Sequence, residues 1–188
     1  EGRTGYTDAK GLPELRQKIS DFYGMSLGVE VDHERIFVTA GASGGLLMLA
    51  TLLLDPGENW LMTDPGYPCN RHFLSSFNAE GLLVPVDSSN NYQLSPRLIK
   101  EYWNKYTRGI LIASPANPTG SILSQSEAKK LWDVVQSKGG VLLVDEIYHG
   151  LIYERTGAAS VLAQLPEAIV INSFSKYFGM TGWRLGWV

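Results

Sequence analysis

Short apolar runs alternate with helix-like segments along almost the whole of this 188-residue chain. The runs are Ile36–Thr39, Trp60–Thr63, Leu82–Val86, Gly109–Ala113, Val141–Val144 and Ala168–Asn172. Such brief, nearly continuous apolar stretches read as strands covered on both faces. Strands interleaved with helices predict an α/β chain, a three-layer α/β/α arrangement around a mostly parallel sheet. Between the runs, Leu12–Tyr23 is amphipathic and should stop near Gly24. Gly44–Leu54 is apolar nearly all round, which predicts a buried helix. Ser95-Pro96 places a capping serine before a proline at the first helical position. Ser124-Gln125-Ser126-Glu127 is a capping box for a helix running to about Lys138 and ending at Gly139-Gly140. The chain shows no internal repeat, low-complexity tract or linker, so one domain is expected, and 44% hydrophobic residues supply its core.

The polar punctuation is more specific than the pattern. Run Ile36–Thr39 gives way to Gly41-Ala42-Ser43-Gly44-Gly45, and run Trp60–Thr63 to Asp64-Pro65-Gly66-Tyr67-Pro68. Gly109–Ala113 is followed by Ser114-Pro115-Ala116-Asn117-Pro118-Thr119-Gly120. Val141–Val144 ends at Asp145-Glu146-Ile147-Tyr148, and Ala168–Asn172 at Ser173-Phe174-Ser175-Lys176. If the strands are parallel, all of these loops emerge at one edge of the sheet, where open α/β sheets bind ligands.

The residue types at that edge suggest a particular chemistry. Lys176 follows two serines, and Arg184 stands eight positions later. An amine near hydroxyls and an arginine suits a compound carrying both a phosphate and a carbonyl, and pyridoxal 5'-phosphate (PLP) is one. An amine forms a Schiff base only when unprotonated, so partial burial of Lys176 beside Arg184 is expected to favour its neutral form. Asp145 closes an apolar run. As an ordinary turn residue it needs no function, but a carboxylate there can also hold a proton on a pyridine nitrogen. A protonated ring stabilises negative charge at a substrate α-carbon. Gly41-Ala42-Ser43 is either a tight turn or the start of a helix whose free N–H groups bind an anion. Arg184 can grip a phosphate through two hydrogen bonds. Asn117-Pro118-Thr119-Gly120 makes a good turn on its own, Tyr148 suits a packed position, and Tyr67 is held in a stiff loop where it can stack on a flat ring.

Other chemistries find less support. A net charge of −3 argues against a nucleic-acid or anionic-membrane surface. No apolar run reaches the length of a spanning helix, and no basic-then-apolar leader pattern opens the sequence. Cys69, the single cysteine, reads as a packed residue and cannot form an internal disulfide, so a reducing, cytoplasmic compartment fits. His33, His72 and His149 lack metal-ligand spacing, and no metal is expected.

Taken as a set, Asn117-Pro118-Thr119-Gly120, Asp145-Glu146-Ile147-Tyr148 and Ser173-Phe174-Ser175-Lys176, with Gly11-Leu12-Pro13-Glu14-Leu15-Arg16 upstream and Met180-Thr181-Gly182-Trp183-Arg184-Leu185-Gly186 downstream, resemble the class I/II aminotransferases of the aspartate aminotransferase superfamily. The resemblance covers essentially the whole chain. It implies the PLP-dependent transferase large domain. Lys176 matches the lysine that carries the cofactor as a Schiff base and later shuttles the proton, and Asp145 matches the partner of the pyridine nitrogen. Asn117 and Tyr148 match residues that hydrogen-bond the cofactor's 3'-oxygen, and Tyr67 matches the aromatic that stacks on its ring. Ala42, Ser43, Ser173 and Arg184 match phosphate ligands. Tyr6 matches a tyrosine that reaches the phosphate of a neighbouring subunit, which implies a homodimer. Amino acids and 2-oxo acids are the implied substrates.

The resemblance leaves alternatives. The same cofactor residues would serve a PLP-dependent carbon–sulfur lyase or a related lyase or synthase. An aminotransferase-like PLP-sensing domain of a transcription regulator would need an upstream helix-turn-helix, and no basic recognition segment is present here. Glu1–Tyr6 lacks an initiator methionine and Leu185–Val188 reads as a strand just begun. Residues 1–188 are therefore expected to be a large domain cut at both ends, without the family's full N-terminal arm or its small domain.

Overall fold

A computed structural model describes residues 2, 4–153 and 159–188; Glu1 and Arg3, part of the chain start discussed above, lie outside them. Strands β1 (Val38–Thr39), β2 (Asn59–Asp64), β3 (Glu80–Pro85), β4 (Thr107–Ala113), β5 (Val141–Asp145), β6 (Ile169–Ser173) and β7 (Gly186–Trp187) form one sheet. Its order is β1-β7-β6-β5-β4-β2-β3. β2 pairs in parallel with β3 and β4, as do β4 with β5 and β5 with β6. Only β7 runs the other way, antiparallel to both β6 and β1. β1 therefore points the same way as β6, and Thr39 lies level with Ser173 through their common partner Gly186.

Pleating sends alternate residues to opposite layers. Ile110, Ile112, Leu142 and Val144 pack with Leu98 and Ile99 of α4 (Pro96–Tyr102) and with Leu131 and Val135 of α5 (Gln125–Ser137). Leu111, Leu143 and Ile171 pack on the other face with Leu46, Leu49 and Ala50 of α2 (Gly41–Leu53) and Leu74 of α3 (Cys69–Ser75). Residues that face helices on both sides must be apolar throughout, which is why these strands read as unbroken runs. A third cluster joins Ile19 of α1 (Pro13–Phe22), Tyr23, Ile36 and Trp187.

Three helices depart from expectation. α1 itself ends at Phe22, near Gly24, but the chain stays helical through a π-helical turn, Tyr23–Leu27, and stops only at Gly28, whose φ of 66° suits glycine. α2 begins at Gly41, so the glycine-rich segment is its first turn rather than a loop before it. α2 is also covered on one side only, because Leu52 is 74% exposed. α3 was not anticipated. The Ser95 and Ser124 caps form as expected, Ser124 with its reciprocal Glu127 bond.

Candidate active site at the carboxyl edge of the sheet

The carboxyl ends of β4, β5 and β6 with the loops that follow them, Tyr67 from the loop after β2, α3 and the start of α2 surround a cavity of about 270 Å³. Strand pleat decides which residues reach it. Leu111, Ala113, Asp145 and Ile171 continue the face that packs against α2, and all four line the cavity.

Asp145 sits half-buried at the last position of β5, its Oδ1 accepting the N–H of Ile147 at 2.9 Å. Burial pushes its carboxyl up to about 6, while that hydrogen bond and the positive charge of Lys176 pull it down. Lys176 also lines the cavity, with its Nζ 5.7 Å from the centre of the Tyr148 ring. It is exposed rather than part-buried, so the desolvation expected from the sequence is not supplied by the described residues. The Tyr148 hydroxyl accepts from Asn117 Nδ2 at 3.4 Å, and both residues line the cavity.

Arg184 forms the opposite wall. It adopts a left-handed backbone with φ 49°. Its Nη1 donates to the Thr181 carbonyl at 2.8 Å and to Ser175 Oγ at 3.4 Å. The guanidinium lies against Gly41, where a Cβ would stand 2.7 Å from Nη2, and Gly41 has φ +71°. Both facts call for glycine there. Ala42 and Ser43 line the cavity next to it, and no side chain caps the N-terminus of α2. The free N–H groups of that first turn and the guanidinium together make an anion-binding corner.

Tyr67 lines the cavity and is 45% exposed. Its hydroxyl is pushed up, first by a hydrogen bond with Cys69 and then by burial. Two expected residues lie off the wall. Ser173 is buried, its Oγ donating to the Leu185 carbonyl at 3.0 Å and hydrogen-bonded to Ser175 Oγ at 2.9 Å; Ser175 presents the hydroxyl to the cavity instead. Tyr6 is fully exposed and does not line the cavity. Asn70, Phe73 and Thr181 do line it and were not singled out from sequence. Asn70 and Phe73 belong to the unanticipated α3, so only recognition of that helix would have found them.

Among the described residues no cluster of histidine, cysteine or acidic side chains is placed to hold a metal. None of the described helices is long and apolar enough to cross a membrane. An amine, a floor carboxyl and an anion-binding corner thus share one cavity. That set can hold an anionic carbonyl compound covalently and keep a proton on a basic ring atom.

Known proteins place this geometry in a family. The family model described as aminotransferase class I and II matches residues 1–188. The chain is 38% identical to a valine–pyruvate aminotransferase of Mycobacterium tuberculosis, over 98% of its own length and 47% of that protein's. It is 35% identical to an aspartate aminotransferase of Pyrococcus horikoshii, over 100% of its length and 48% of that protein's. Among solved structures, an aminotransferase from M. tuberculosis superposes with a TM-score of 0.90 at 37% identity, covering 99% of this chain and 51% of that one. The aromatic aminotransferase of P. horikoshii gives a TM-score of 0.90 at 31% identity, covering 98% and 50%. The chain thus spans about half the length of the relatives it matches. Sequence and fold agree that it belongs to the class I and II aminotransferases.

Proposed function

We propose that this chain is the cofactor-binding part of a PLP-dependent aminotransferase, which moves an amino group between an L-amino acid and a 2-oxo acid. The observation that carries the reading is the meeting of Lys176, Asp145 and Arg184 around one cavity at the carboxyl edge of the sheet.

The residues fit the cofactor. The uncapped start of α2 and Arg184 suit the phosphate, and the absent Cβ of Gly41 leaves the guanidinium its place. Ser175 would add a hydroxyl, with Ser173 holding it by their shared hydrogen bond. Asn117 Nδ2 and the Tyr148 hydroxyl would hold the 3'-oxygen, Tyr67 would lie on the ring, and Asp145 would face the ring nitrogen. Lys176 Nζ would hold the cofactor covalently. When bound, PLP supplies an electron sink conjugated to the substrate α-carbon.

The chain's own residues do the rest. Asp145 in its ionised form would keep a proton on the ring nitrogen. A cationic partner favours that ionised form and offsets the cost of burying it. Lys176 Nζ, once displaced by the substrate amine, would serve as the base that takes the substrate α-proton and as the acid that gives it back. The Tyr148 ring, 5.7 Å from Nζ, would orient the amine when it is protonated. The wall residues Leu46, Leu111 and Ile171 keep the floor apolar.

The same reading extends to the assembly. The whole protein would continue into a small domain that supplies the arginine for the substrate carboxylate. Tyr6, exposed and away from this chain's own cavity wall, is free to reach a second copy in a homodimer. The single cysteine suits a cytoplasmic protein.

In the whole protein loaded with PLP and given an amino acid but no acceptor, stoichiometric 2-oxo acid and pyridoxamine phosphate should accumulate. Continuous release of ammonia and pyruvate instead would point to lyase chemistry and refute transamination.

A further inference from the structure

Glu146 stands next to the cavity floor, yet nothing in the proposed reaction uses it. Pleating turns it away from Asp145, toward the layer of α4 and α5. It does not line the cavity and is 1% exposed. Oε1 accepts the N–H of Val161 at 2.8 Å, whereas Oε2 is buried with no hydrogen-bond partner among the described residues. Burial pushes this carboxyl up to about 7; the Val161 hydrogen bond and the nearby Ser160 hydroxyl pull it down, and the charge of Asp145 adds to the rise. An acid buried with an orphaned oxygen is costly, and an apolar side chain of similar size would fill the space without that cost.

What the carboxyl does is join two turns. The Glu146 N–H donates to the Ile171 carbonyl at 2.9 Å, and its carbonyl accepts the His149 N–H at 2.8 Å. This closes the turn that carries Tyr148 and the Ile147 N–H, which in turn holds Asp145 Oδ1. On the other side Val161 opens the short 3₁₀ turn Val161–Ala163. That turn is moored to α5, because Gln125 Nε2 donates to the Ala159 and Ser160 carbonyls at 2.9 Å each.

We propose that Glu146 is a positioning residue: by accepting the Val161 N–H it clamps the turn bearing Asp145 and Tyr148 to the outer layer and so fixes both side chains in the cavity. The inference rests on the reading of that cavity as the PLP site.

Three variants of the whole protein test it. Glu146→Gln keeps an acceptor oxygen for the Val161 N–H, and Glu146→Leu removes it. Val161→Pro removes the donor from the other side. Proline is tolerated there, at the first position of the turn after an extended Ser160 with φ −52° and ψ 141°. Two quantities are read: the PLP dissociation constant of the cofactor-free protein, and amide exchange at Ile147 without cofactor. The clamp predicts that Glu146→Leu and Val161→Pro each weaken PLP by about tenfold and speed exchange at Ile147, while Glu146→Gln stays within about threefold of the parent. Parent-like affinity and exchange in the leucine and proline variants overturn the proposal, as does a glutamine variant as impaired as the leucine one. Should one variant fail to fold, the other decides. A parent protein that binds no PLP counts against the cofactor reading alone, since exchange at Ile147 still tests the clamp.

Discussion

Asp145 and Glu146 are neighbours in sequence but belong to different layers of the molecule. One carboxyl faces the cavity, and the other faces the outer helices. Both are raised by burial, and that has a consequence for stability. Glu146 has an ordinary value of 4.5 and is pushed to about 7 in the fold. Below 4.5 it is protonated in both states and contributes nothing to the pH dependence. As pH rises, the unfolded chain sheds this proton first, so stability is lost progressively up to about 7 and then levels off. The loss is on the order of 3 kcal/mol. Asp145 acts in the same direction between 3.8 and about 6. Urea unfolding of the cofactor-free whole protein at pH 5 and pH 7.5 should show Glu146→Gln losing less stability than the parent; an equal loss contradicts the buried-acid account. Sequence reading found Asp145 because it ends an apolar run, but passed over Glu146, whose role depends on a hydrogen bond fifteen residues away. It also expected Lys176 to be sheltered by Arg184. The guanidinium instead turns to Thr181, Ser175 and Gly41, and the lysine is left exposed.

Elements were legible in proportion to how completely they are covered. β2, β4, β5 and β6 lie between helical layers, so their sequences are apolar without interruption and their bounds were read to within about two residues. β1 was overextended: the strand is Val38–Thr39, although Phe37 and Val188 still exchange backbone hydrogen bonds of 2.8 and 2.9 Å next to it. α3 escaped notice because seven residues without a side-chain cap give neither period nor start signal. α2 was read too short because two glycines in its first turn looked like loop. Those glycines have a task. Gly41 combines a left-handed backbone with contact to Arg184, so Gly41→Ala should strain the start of α2 and displace the guanidinium. The expected result is PLP binding weakened by about tenfold or more, with pyridoxal, which lacks the phosphate, affected far less. Equal weakening of both ligands would place the defect outside the anion corner.

At the scale of the whole molecule, the informative pattern was the one shared by all the loops. Each alone is an ordinary turn, but parallel strands deliver them to one edge, and β1 joins them because antiparallel β7 lies between it and β6. On the function proposed above, the cavity they form is the cofactor site of a PLP-dependent aminotransferase. On that reading the arginine for the substrate's carboxylate would come from a small domain outside residues 1–188. The 188-residue polypeptide is therefore expected to turn over little substrate beside the whole protein, and comparable turnover by both would show that no further domain is needed. The account stands or falls on the amine at the end of β6. Borohydride reduction of the whole protein after incubation with PLP, followed by peptide mass mapping, should place one pyridoxyl group on Lys176 and none in the Lys176→Ala variant. A label on another lysine, or spread over the surface lysines with Lys176 unmodified, would contradict it.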